Sequence, residues 1–103
     1  MTEPEKRDVQ YVAFFVTSYE SLDDAFAREP DLIAAHRART KELHAQGKLL
    51  MAGAILNNPE EPLSTMAVLP TREDAEEYAR GDPFVLNGMV SKWYIREWAN
   101  MFA

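Results

Sequence analysis

His36 and Asp82 are the side chains in this sequence best suited to acid–base chemistry, and 46 positions separate them. An imidazole changes charge near neutrality, and a carboxylate beside it can orient the ring and balance that charge. His36 lies in PDLIAAHRARTKELHAQG, where Leu32, His36, Arg39 and Leu43 recur at spacings of three and four. That spacing puts them on one stripe of a helix, with His36 turned toward a sheet. A core-edge histidine that fills space and makes one hydrogen bond is the plainer reading of the same position. Asp82 opens Asp82-Pro83-Phe84. Asp is a favoured helix cap and Pro a favoured first helical residue, so this tripeptide can simply start a helical turn. A cap uses one carboxylate oxygen and leaves the other free for His36.

Other chemistry finds less support. His44 stands eight residues after His36, roughly 80° further round a helix at 100° per residue, so the pair lacks the i, i+4 spacing of two metal-binding histidines. Ser64, Thr17 and Thr65 have no context that marks a nucleophile, and no Gly-rich phosphate loop or zinc spacing is present. The chain calls for no metal and no cofactor.

The elements that must hold His36 and Asp82 follow from pattern. Residues 11–17, YVAFFVT, are aromatic and β-branched and form a first strand. Residues 18–28 connect it, with one possible helical turn, to a helix that starts at Pro30 and stops at Gln46-Gly47. Residues 48–56 contain the apolar run LLMAGAIL, which reads as a buried strand. NNPEEP makes a loop, residues 63–69 form a third strand, and Thr71 with Asp74 begins a second helix ending at Gly81. Residues 89–98, MVSKWYIREW, form the last strand, and residues 1–8 form a loose tail. The order strand, helix, strand, strand, helix, strand is the ferredoxin-like split βαβ arrangement, an α+β fold with both helices on one face of a four-stranded antiparallel sheet. The first two strands are apolar on both sides. The face without helices therefore calls for cover by a second copy, making a two-fold homodimer, or for an open apolar cleft in a monomer.

At 103 residues the chain forms one domain, with 47% hydrophobic and 27% charged residues and no cysteine. Its net charge of -6 disfavours nucleic-acid binding. No run approaches the length of a membrane span, and the polar N-terminus lacks a signal-like segment. These features predict a soluble cytoplasmic protein.

The motif pieces His36, then His44, Gly47, Leu49, Leu50, Ala52 and Gly53, then Ser64, Asp74, Ala75, Asp82, Pro83, Phe84, Gly88, Ile95 and Trp98, together resemble the YciI-like (YCII-related) family over residues 11–98. The resemblance implies a dimeric α/β barrel of ferredoxin-like subunits and an active-site His–Asp pair carried over onto His36 and Asp82. Ser64 falls where the family often has a Gly-Ser pair near the pocket. One relative of this kind is a dehydrochlorinase of chlorinated hydroquinones, and muconolactone isomerase shares the wider barrel. The sequence departs from the family at Gly53-Ala54, where Gly-Pro is usual, at Leu63-Ser64, and in a short loop over residues 57–62. The expectation is a cofactor-free lyase or isomerase acting on a small cyclic or aromatic metabolite through His36 and Asp82. Phe14, Met51, Phe84 and Trp93, with Ser64, are expected to line its pocket. The alternative is a non-catalytic dimer that binds a small molecule or a partner domain in the same cleft.

Overall fold

The computed structural model describes residues 9–57 and 60–103, so the expected tail over residues 1–8 lies outside the described residues. Four strands, β1 (Val9–Thr17), β2 (Met51–Ile55), β3 (Ser64–Leu69) and β4 (Val90–Ala99), form one antiparallel sheet in the order β2-β3-β1-β4. The helices are α1 (Leu22–Arg28), α2 (Pro30–Ala45), α3 (Arg72–Gly81) and the single turn α4 (Pro83–Leu86). This is the ferredoxin-like α+β fold, with α1 and α4 added to its two principal helices.

Local chemistry explains the boundaries. Thr71 caps α3 by accepting the Asp74 N–H at 3.0 Å, and Ser21 caps α1 through the Asp24 N–H at 3.1 Å. Gly47 takes φ 75° just after α2, a left-handed turn that a side chain would strain. Residues 18–28 hold a full helix where a single turn was expected, because Ser21 supplies a cap and Asp23 and Asp24 favour the first turn.

Strand register separates the two sheet faces. Ala13 pairs with Ala67 and Ile95, and Phe15 pairs with Thr65 and Trp93; these point toward the helices. Ala13, Phe15, Ala67 and Leu69 form the core with Ala75, Tyr78 and Ala79 of α3 and Leu43 of α2. On the other face lie Val12, Phe14, Val16, Met66 and Val68, with Tyr94 stacked on Phe14 at 5.1 Å. Among the described residues no helix covers that face, and Met51 and Trp98 there are 58% and 41% exposed. The apolar run after α2 differs from the expected buried strand. Leu49 enters the core, but Met51–Ile55 is an edge strand with four of its five residues exposed. An edge strand has only one neighbour, and here one of its faces is the uncovered one.

Candidate functional site

The inner stripe of α2 and the end of α3 converge on one hydrogen bond. His36 sits at mid-helix on α2, and Asp82 is at once the last cap of α3 and the first cap of α4. Asp82 Oδ2 accepts the Phe84 N–H at 3.0 Å, and Oδ1 lies 2.6 Å from His36 Nδ1. A carboxylate oxygen there makes Nδ1 the donor and leaves Nε2 as the nitrogen open to another partner. Such a short contact is typical of a charge-assisted bond. The Asp82 side chain is 1% exposed and that of His36 18%, so the carboxylate is sealed behind a ring that still reaches open space. Phe84 packs against that ring with centroids 5.0 Å apart.

Arg39, one turn beyond His36 on the same stripe, fastens the two helices. Its guanidinium donates to the carbonyls of Tyr78 and Glu77, both at 2.9 Å, in the last turn of α3. A cation there satisfies helix-end carbonyls and opposes the negative end of the helix dipole. Gly81 completes the fit, because a Cβ at that position would lie 2.6 Å from the Arg39 guanidinium. The segment that delivers Asp82 is thereby pinned to the helix that delivers His36.

His36 opens into a cavity of about 420 Å³ between α1, α2 and the β2–β3 side of the sheet. Ala52, Ala54 and Thr65 line it from the sheet, and Ile33, His36 and Thr40 from α2. Tyr19, Tyr78 and Phe84 also contribute, with Arg37 and Lys41 exposed on the helix beside them. Burial, followed by the negative charge of Asp82, pushes the Tyr78 phenol well above its ordinary 10.0. The Tyr19 phenol is raised too, again chiefly by burial. The Tyr19 hydroxyl is buried without a hydrogen-bond partner among the described residues.

The expected site residues divide accordingly. His36 and Asp82 are brought together, and Phe84 lines the cavity. The other expected lining residues lie elsewhere. Ser64 pairs with Val16 and Ile55 on the uncovered face, and Phe14 and Met51 lie on that face as well. Trp93 is on the helix side but packs in the core with Arg80 5.5 Å over its ring. Their place is taken by Thr65, Tyr19, Tyr78, Arg37 and Lys41, which sequence reasoning assigned no site role. For Tyr78 a signal existed, since it stands one helical turn before Asp82. His44 is exposed on the last turn of α2, away from the cavity lining. Among the described residues no three His, Asp or Glu side chains gather as a metal-binding group, and no helix is long and apolar enough to cross a membrane.

Fold and site together define a ferredoxin-like α+β domain whose helix-covered side holds a cavity with a buried His–Asp pair in its wall. The chain belongs to the YCII-related family, whose model matches residues 10–99. No curated protein matches the sequence. Among solved structures it is similar to 5-chloro-2-hydroxyhydroquinone dehydrochlorinase of Burkholderia phenoliruptrix in complex with 2,5-dihydroxybenzoquinone, at a TM-score of 0.63 and 16% identity, covering 86% of this chain and 92% of that one. A putative antibiotic biosynthesis monooxygenase of Nitrosomonas europaea gives 0.56 at 8% identity, covering 99% and 96%. A dimeric ferredoxin-like protein of unknown function from Bacteroides fragilis gives 0.50 at 13%, covering 94% and 99%. At these identities the likeness establishes the fold.

Proposed function

We propose that this chain is a small acid–base enzyme acting on a cyclic or aromatic metabolite, in which His36 moves the proton and Asp82 orients and charge-balances the imidazole. The observation that carries this reading is the 2.6 Å contact between His36 Nδ1 and Asp82 Oδ1 at the wall of a cavity large enough for a single-ring molecule. With Nδ1 committed to Asp82, Nε2 is the nitrogen free to act on a bound molecule. In an elimination the hydroxylated ring reacts as a keto tautomer, and Nε2 takes a proton from a saturated carbon of that tautomer next to the saturated carbon that bears chlorine. The electrons of the broken C–H bond form a new double bond, and chloride leaves the neighbouring carbon with its bonding pair. In an isomerisation the same proton returns at a different carbon. The family and the dehydrochlorinase likeness make elimination from chlorinated hydroxylated rings the first reaction to test. Chloride release or ring isomerisation by wild type is expected to fall by about 10²–10⁴ in His36→Ala, with circular dichroism unchanged. Full activity in that variant overturns the mechanism.

A non-catalytic ligand-binding dimer is the second reading, and its dimeric part is compatible with the first. The uncovered sheet face supports it, since Met51, Ile55 and Trp98 are exposed beside Phe14 and Tyr94. A second copy seated there would bury that face around a two-fold axis. Sedimentation is expected to give twice the chain mass for wild type and the single chain mass for Met51→Lys/Trp98→Lys. A monomeric wild type at micromolar concentration rules the assembly out.

A further inference from the structure

The cavity offers a ligand cations and hydrogen-bond donors but no acid. Acidic residues outnumber basic ones 17 to 11 in the whole chain, yet among the described residues no Asp or Glu lines the cavity. Asp82 is sealed behind His36, and Asp24 of α1 is tied to Arg28 at 3.1 Å. Arg37 and Lys41, one helical turn apart on α2, both line the cavity and are exposed at its mouth. Among the described residues neither makes an ion pair or a side-chain hydrogen bond. Two unpaired cations at i, i+4 repel each other weakly in the empty protein. An anion between them removes that repulsion and gains two charge-assisted bonds, one from a guanidinium fork that suits a carboxylate.

The wall adds no opposing charge. Tyr19 is 1% exposed and its hydroxyl, with under 1 Å² of accessible surface and no partner among the described residues, stands behind the wall and not in the cavity. Tyr78, 2% exposed, stands in the same wall. Burial holds both phenols above their ordinary 10.0, so both carry their protons at neutral pH and leave the wall uncharged.

We infer that the cavity takes a single-ring carboxylate, its anionic group between Arg37 and Lys41 at the mouth and its ring beside His36. A carboxylate is ionised across the neutral range, where a simple phenol is not. This assignment rests on the His36–Asp82 reading for the reacting end of the ligand, and on the cavity lining alone for the charge preference.

The test compares gentisate, a dihydroxylated benzoate, with gentisamide, its neutral counterpart of nearly the same shape, by calorimetry and by shifts of the amide resonances of residues 36–41. Gentisate is expected to bind wild type at least about tenfold more tightly at low salt, with the preference shrinking as salt rises. In Arg37→Gln/Lys41→Gln the two compounds are expected to bind within about twofold of each other. Both positions are exposed, so the variant keeps its fold. Equal binding of the two compounds, a preference that survives the double variant, or no saturation by gentisate up to about 10 mM overturns the assignment. Charge-selective binding without turnover of any ring compound leaves this assignment standing and removes the acid–base reading. Turnover confined to neutral rings does the reverse.

Discussion

The two halves of the sheet carry their helices differently. Over β1 and β3, α3 lies close, with Ala75, Ala79 and Leu69 at 0% exposure and Tyr78 stacked on Phe15 at 5.3 Å. Over β2, α2 leaves the cavity of about 420 Å³. Both halves use small residues, but to opposite effect. Ala13, Ala67, Ala75 and Ala79 stand among large partners, Phe15, Tyr78 and Leu69, which fill what the alanines leave open. Ala52 and Ala54 on β2 face α2 across a space that no large side chain among the described residues fills. Small residues close a core when their neighbours are large and open a pocket when they are not. The filled half holds the end of α3, and with it Asp82, in place. The unfilled half leaves His36 facing open space.

Leucines introduced into the two halves should separate them most clearly. Ala79→Leu forces extra volume into the filled half and is expected to cost about 1–3 kcal/mol or more in urea unfolding. Ala54→Leu grows into the cavity and is expected to cost less than about 1 kcal/mol, while abolishing ligand binding. Equal penalties would mean that the cavity closes in solution.

A smaller effect separates the halves by pH. The Tyr78 phenol is raised above 10.0 in the folded chain, first by burial and then by Asp82. The folded state therefore binds that proton more tightly than the unfolded state does. Its stabilisation is complete below the unfolded value and is lost as pH rises through the folded one. The urea midpoint should be flat with respect to this group up to about pH 9 and fall above about pH 10. Tyr78→Phe should flatten that alkaline fall while keeping the Phe15 stack. An unchanged alkaline slope in Tyr78→Phe would assign the fall to other groups.

The sequence by itself determined the order of elements, because periodicity, caps and the Gly47 stop are local. Strand after strand keeps its expected type, and the boundaries move by only a few residues. It also determined that His36 lies on the inner stripe of its helix and that Asp82, as a cap, keeps one oxygen free. Each of these facts depends only on neighbours within a turn or two. Tertiary structure decided the rest. The 2.6 Å His36–Asp82 contact depends on how α3 ends against α2, which Arg39 and Gly81 adjust. Nothing in either segment alone encodes that distance. Which strand residues face the cavity depends on register, and register has a period of two, so a one-residue step reverses the face. Ser64 consequently points away from the helices while Thr65 lines the cavity. Phe14 and Met51 were misassigned for the same reason, since β1 and β2 are apolar on both faces and no alternation marks the inner one. The cavity itself is a gap between elements distant in sequence, and its volume depends on the distance at which α2 settles from β2.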